Sequence, residues 1–458
     1  MFSYMRRGKA FYKDVVTLAI PIILQNLITN SLGLLDTFMV GLLGEAPMAA
    51  VTLANIPIFV IQLMIFGFQS GASVLISQFY GKGDNDSISR VIGIGMYISG
   101  GLTFLFGCVM YFFPVWFMGL FGNEPAVVAL AAQYAKMVAF SFLFDGLAQV
   151  YIGAHRSMAN PQLGLYILAV AMVSNTFLNW VFIFGHLGAP AMGVEGAALA
   201  TLISRFLEFL FAVGHACLGR QFRIRPGFFF RPGGEMLARY VRYATPVVIN
   251  ETLWGLGTAL YPTIMGHMAG SQAILAAFGI SGNIERVSTV LVFAVGGTSA
   301  IIVGREIGAG RRDTVYEVGQ ALDLLAFLSG LLVGGVFIVL TFVLFSPVLY
   351  PMFHLSAEAS SIATMMSLVT FSVLSLRSFN TTNTVGVLRG GGDVRAASAI
   401  DLSPLWFVSL PAAALAGLVF HQSILVVYLC ISLENVVKFF LGVARLRSGD
   451  WIRDVTVD

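Results

Sequence analysis

Residues 19–44 read AIPIILQNLITNSLGLLDTFMVGLLG, and residues 244–270 read ATPVVINETLWGLGTALYPTIMGHMAG. At an offset of 225 the two align without gaps, so that Pro21 meets Pro246 and Gly41 meets Gly266. The correspondence continues with small gaps. Tyr80-Gly-Lys-Gly stands against Ile307-Gly-Ala-Gly, Gly153-Ala-His-Arg156 against Gly386-Val-Leu-Arg389, and Asn160 against Asp393. The offset drifts only to 233, close to half of the 458 residues, so the chain reads as a duplication. Each copy opens on an apolar run long enough to cross a bilayer, which needs about 20 such residues.

The rest of the chain has the same character. Apolar residues make up 57% and charged residues 11%, against about 25% charged in soluble domains, and mean hydropathy is +0.86. A soluble single-core fold is excluded. Uninterrupted apolar stretches predict twelve spans at roughly 14–43, 48–80, 91–118, 126–153, 164–185, 191–218, 241–266, 273–303, 316–346, 357–388, 397–418 and 422–444. The expectation is an all-α integral membrane protein with twelve transmembrane helices in two pseudo-symmetric six-helix lobes, 1–218 and 241–458, joined by a cytoplasmic linker at 219–240. Because six is even, both lobes insert in the same orientation, related by an axis along the membrane normal, with the substrate path expected at their interface. The basic N-terminus resembles a signal n-region, but the run after it is too long for one, so it is read as a retained first helix.

Lys and Arg orient the chain. Twenty-one of the 26 basic residues fall at the termini, in the 219–242 stretch and in alternate loops, including 389–396 with Arg389 and Arg395; the intervening loops hold none. Both termini are therefore expected in the cytoplasm. Lys136, Arg205, Arg286, Arg377 and Lys438 fall within spans. The formal charge of +3 is too small and scattered for nucleic-acid binding, and Cys108, Cys217 and Cys430 form no metal-type spacing. No Walker-type loop or nucleophile motif appears, so neither ATP-driven transport nor enzymatic activity is expected.

Five features together resemble the multidrug and toxic compound extrusion (MATE) family: the Pro in the first helix, Leu-Asp-Thr-Phe-Met-Val-Gly before the first outer loop, Asn-Glu-Thr-Leu-Trp-Gly-Leu-Gly opening the seventh helix, Leu-Arg-Gly-Gly-Gly-Asp after the tenth, and the duplicated twelve-span plan. The likeness covers essentially the whole chain. It implies a secondary multidrug exporter in the plasma (inner) membrane that contributes to antibiotic resistance. A flippase for lipid-linked oligosaccharides from the same superfamily is the alternative, and would more naturally carry several cavity arginines.

A carboxylate at helix centre costs about 2.5–3.5 kcal/mol on insertion scales, so a deep one is a functional candidate. Asp36 lies in the outer half of the first helix. Asn175 and Asn179, four apart, share a face of the fifth, and Thr201 lies one helix on. A carboxylate, two amide carbonyls and a hydroxyl suit a small hard cation, and the same partners suit a protonated acid. In the family the matching Asp, Asn, Asn and Thr form a cation or proton site. Glu251 is the second candidate; the resemblance implies that it binds cation or substrate. Asp401, in the eleventh helix, is a third. Some family members carry an acid in the tenth helix, but Arg377-Ser-Phe-Asn-Thr-Thr-Asn383 has none, which argues against a sodium site of that kind in the C-terminal lobe.

Arg377 stands about 18 Å along the axis before Arg389, too deep to snorkel. Its expected partner is Glu251 first and Asp401 second, giving a fixed positive charge in place of a coupling cation; the alternative is hydrogen bonding to backbone carbonyls and water. The remaining expectations are a monomer surrounded by membrane lipid, a small drug-like substrate, and no cofactor beyond a coupling H+ or Na+.

Overall fold

The computed structural model describes residues 8–122, 124–219 and 222–457. Arg6 and Arg7 of the N-terminal basic cluster, and Arg220 of the linker, lie outside them. The described elements are helices, apart from one isolated antiparallel bridge between Gly392 and Ile452.

Twelve long helical elements follow one another. They are α1 (Lys9–Gly41), α2 (Glu45–Lys82), α3 (Asn85–Phe112), α4 (Pro125–Val138 and Ser141–Ser157), α5 (Pro161–Phe184), α6 (Val194–Leu218), α7 (Gly234–Gly266), α8 (Ser271–Gly308), α9 (Arg312–Met352), α10 (Ala357–Ser372 and Leu374–Leu388), α11 (Val394–Val419) and α12 (Ile424–Ser448). Nine are long and apolar enough singly, and α4 and α10 are so as bent pairs. The twelfth, α7, is 33 residues or about 50 Å long but carries Glu235, Arg239, Arg242 and Glu251. Its first two turns occupy residues 234–242, which the sequence had assigned mostly to the linker.

Local chemistry sets the helix ends. Asp84 caps α3 by accepting from Ser87 N at 3.0 Å, Ser356 caps α10 by accepting from Ala359 N at 3.1 Å, and Pro125 and Pro161 open their helices where no amide donor is needed. The bends in α4 (53°) and α10 (50°) fall at residues 139–140 and at Val373, equivalent positions under the offset of 233. Large apolar side chains stay outside: Phe38, Leu105, Leu332 and Phe407 are exposed, as a lipid-facing surface requires. The chain is a multi-pass membrane protein.

Two compact units result, and both boundaries obey the offset of 225. One runs from Leu24 to Val248; the other begins at Ile249 and includes the first helix up to Ile23. In the unit beginning at Leu24, one apolar core gathers Ala50 and Ala54 of α2, Ala131, Tyr134, Ala135 and Val138 of α4, and Ala197 and Ala198 of α6. Gly71 of α2 lies so close to Ala244 of α7 that a Cβ would collide with its backbone.

The C-terminal unit differs in winding. Thr341–Leu349, Thr382–Leu388, Leu405–Ser409 and Leu415–Val419 are wide π-type turns within α9, α10 and α11. Pro347 lies inside the first and Pro404 immediately precedes the third, and a proline removes an intrahelical donor. After α12 the chain turns back and buries Trp451 completely, with its indole N–H donating to Leu446 O at 3.1 Å. Arg453 N donates to Gly391 O at 2.8 Å, and Gly391 has no room for a Cβ beneath the Trp451 ring. Asp393, 1% exposed, receives Arg445 at 2.6 Å and Arg453 at 3.1 Å, while Asp454 binds Arg312 at 2.8 Å.

Candidate ion-coupling sites

In the unit beginning at Leu24, four residues singled out by sequence meet in one hydrogen-bonded chain. Asn179 Nδ2 donates to Asp36 Oδ1 at 2.5 Å and to Asn175 Oδ1 at 3.2 Å. Asn175 Nδ2 in turn approaches Thr201 Oγ1 and Ser204 Oγ, both at 3.4 Å. The i,i+4 spacing on α5 makes this possible, since it stacks the two amides on one face. Both asparagines are buried, and Asp36 is half-buried. No ion pair reaches Asp36 among the described residues.

Arg205, one turn beyond Thr201, is engaged by other acids. Arg205 on α6 binds Glu208 at 2.8 Å and Asp145 of α4 at 3.1 Å, with Gln149 bridging the two acids. The i,i+3 spacing of Arg205 and Glu208 puts both on one face of α6. Asp145 was not singled out, although a lone carboxylate inside the apolar run 141–153 was the available signal.

In the C-terminal unit the expected charge pairing is corrected. Arg377 pairs with Glu285 of α8, not with Glu251 or Asp401. Glu251 instead meets Arg389 at 2.8 Å, and Asp401 meets Lys438 at 3.0 Å. Asn250 joins the two acids by donating to Glu251 Oε1 at 3.4 Å and to Asp401 Oδ2 at 3.0 Å. Lys438 also lies 3.6 Å from Glu434, its i,i+4 neighbour on α12. Arg389 had been counted in a loop, yet it is 1% exposed. The physical reason is the helix path: α10 bends at Val373 and unwinds through Thr382–Leu388, so counting along a straight axis misplaces the groups beyond.

One further acid escaped the sequence reading. Asp323 of α9 is 1% exposed and accepts from Asn383 Nδ2 at 2.7 Å. Among the described residues no group of three His, Cys, Asp or Glu side chains is placed to hold a metal ion.

A duplicated, twelve-helix membrane protein with acids and amides buried in each half is the architecture of a secondary transporter. The chain belongs to the MatE family, whose model matches it twice, at residues 21–181 and 246–415. The two matches begin 225 residues apart, as the internal repeat requires. Among curated relatives it is 26% identical to the probable multidrug resistance protein NorM of Agrobacterium fabrum, over 88% of this chain and 86% of that protein. It is 23% identical to the probable multidrug resistance protein NorM of Thermotoga maritima, over 96% and 93%. A solved MOP superfamily transporter from Pyrococcus furiosus, reported with a binding pocket of reversed polarity, superposes with a TM-score of 0.85 at 20% identity, covering 97% of this chain and 98% of that one. That likeness establishes the fold.

Proposed function

We propose that this chain is a multidrug efflux transporter of the plasma (inner) membrane. It exports amphipathic or cationic organic compounds by alternating access in exchange for inward-moving H+ or Na+, and both its termini are cytoplasmic. The observation that carries the coupling role is the setting of Asp36, held by the Asn179 amide with Asn175 and Thr201 behind it and in no ion pair among the described residues. A carboxylate so placed in a membrane helix gains most from a mobile cation, either a proton on its own oxygen or a sodium ion sharing the neighbouring oxygens.

Glu251 and Asp401 have a different part in this reading. Their charges are balanced by Arg389 and Lys438, so they shape the C-terminal unit and its polarity for substrate, while the coupling cation goes to Asp36. Arg377 serves Glu285 in the same structural way. The relatives named as multidrug resistance proteins support small organic molecules as the cargo.

The test is efflux of a fluorescent cationic dye from proteoliposomes, with pH and sodium gradients imposed separately. Export driven by at least one gradient, and lost in Asp36→Asn, is expected. Wild-type export that ignores both gradients, or an Asp36→Asn protein pumping at the wild-type rate, rejects the proposal.

A further inference from the structure

Asp323 and Asn383 lie outside every group of residues discussed above as coupling or substrate sites. Asp323 comes from α9, and Asn383 from the wide turn Thr382–Leu388 of α10. Wide turns of this kind recur at functional positions in helices. The two side chains are 1% and 0% exposed and share one hydrogen bond, from Asn383 Nδ2 to Asp323 Oδ2. The other oxygen of each, Asp323 Oδ1 and Asn383 Oδ1, is buried with no hydrogen-bond partner. Asn380 and Thr382, beside Asn383 on α10, each bury a further oxygen in the same condition.

Among the described residues no base forms an ion pair with Asp323. On α8, Glu285 is taken by Arg377 of α10, Arg305 by Asp14, and Glu306 by Arg311. On α12, Lys438 is taken by Asp401 and Glu434, and Arg445 by Asp393 and Asp450; Arg389 is held by Glu251. Arg286 of α8, Glu358 of α10, Arg447 of α12, and Arg312, Asp313 and Glu317 near the start of α9 form no ion pair with Asp323 either, nor do Arg453 and Asp454 of the tail. An ionised carboxylate here would be a buried charge without a counter-charge, next to an amide oxygen without a donor.

A single proton resolves both defects. Placed on Asp323 Oδ1, it can be donated to Asn383 Oδ1 while Asn383 Nδ2 continues to donate to Asp323 Oδ2. Acid and amide then close a ring of two hydrogen bonds, and each of the four polar atoms has a partner. A metal ion suits the place less well. Small hard cations gather six or more oxygens, whereas this pair leaves two unused, and Gly442 of α12 packs so near that a Cβ there would lie 2.9 Å from Asn383 Oδ1.

We propose that Asp323 and Asn383 form a proton-binding site within the C-terminal unit, at which Asp323 takes up and releases one proton. The site is separate from Asp36 and stands whether or not Asp36 proves to be the coupling acid.

The experiment uses the full chain in lipid nanodiscs, titrated between mildly alkaline and mildly acid pH. Proton uptake is followed with an indicator dye, and protonated carboxyl groups by infrared difference spectroscopy. Asp323→Asn should take up one proton fewer than wild type and lose one carboxylic-acid band, which Asp36→Asn should keep. Asn383→Ala should keep that band but move its frequency and midpoint, because the acid loses its ring partner. If Asp323→Asn fails to fold, Asn383→Ala decides alone, and a band unmoved in frequency and midpoint overturns the proposal. So does a folded Asp323→Asn protein with wild-type proton uptake and spectrum. A band lost in Asp323→Asn but present in wild type at every pH makes Asp323 a permanently neutral acid and equally overturns it.

Discussion

In the unit beginning at Leu24, one arginine, Arg205, serves two acids and leaves Asp36 to an amide. In the C-terminal unit the acids Glu251, Asp401 and Glu285 each meet a base, Asp401 sharing Lys438 with Glu434, whereas Asp323 meets an amide and no base among the described residues. The duplicated halves thus kept one helix plan while placing their acids at different positions: under the offset of 225, Asn26 stands opposite Glu251, and Asp36 stands opposite Tyr261. A base beside an acid fixes its charge, whereas an amide leaves the charge free to change. On the proposed reading, what distinguishes a structural acid from an exchangeable one is the partner rather than the depth.

The largest expected effect breaks this comparison most directly. Asp36→Asn should abolish gradient-driven efflux and Asn179→Ala should weaken it, while Glu251→Gln should cost efflux less than Asp36→Asn. Equal losses for Asp36→Asn and Glu251→Gln in the same vesicle assay would show that amide-held and base-held acids do not differ in function.

Stability separates the two kinds next. Arg389→Ala leaves Glu251 buried without its base and should cost about 3–5 kcal/mol, read as a fall in thermal unfolding temperature in detergent. Arg389→Ala with Glu251→Ala in the same chain should recover part of the loss. If the double variant is no more stable than the single one, Glu251 is satisfied by other groups.

A smaller effect compares the equivalent turns after α4 and α10. Gly392 has φ +88, and its counterpart at an offset of 233, Ala159, has φ +59. An L side chain in that region carries strain of about 1–2 kcal/mol. Ala159→Gly should therefore raise stability by up to about 1 kcal/mol once the added chain entropy is counted, whereas Gly392→Ala should lower it. Opposite signs in thermal unfolding sharpen the comparison; the same sign would mean that the two turns are not equivalent.

The smallest effect is a dependence on pH in the tail. Burial opposes ionisation of Asp454, but hydrogen bonds from Thr456 and from Arg312 outweigh it and hold the carboxyl below the ordinary Asp range. With the folded value depressed, the contribution of Asp454 is complete above the ordinary range and is lost as pH falls through the lowered value. Trp451 fluorescence should accordingly stay constant through mildly acid pH and change only in strong acid. A change centred at the ordinary carboxylate value would deny Asp454 a part in docking the tail.

The fold was legible because its signals are long and redundant: apolar runs of about 20 residues and a repeat whose proline, glycine and arginine landmarks keep their spacing. That Asn175 and Asn179 share a face was legible for a local reason, the four-residue spacing on a single helix, whereas the grouping of both with Asp36 and Thr201 was implied by the family resemblance. Pairings in the C-terminal unit were not. Glu251 with Arg389, and Arg377 with Glu285, join residues 138 and 92 positions apart, through a helix that bends at Val373 and unwinds after Thr381, and neither departure from ideal winding has a periodic signature. Asp323 gave a signal, one carboxylate in an apolar run, but its amide partner is set by packing alone.

The buried Trp451 has a mechanical consequence. Its ring sits against Gly391 after α10 and Gly319 of α9, its indole is tied to the end of α12, and the charges around it clamp Arg312, Asp393 and Arg445. Three helix ends are thereby tied together at one point. Bending within this unit is expected instead where the helices already depart from ideal winding, at the Val373 bend and in the wide turns of α9 and α11, with the tail as the common anchor of the three ends.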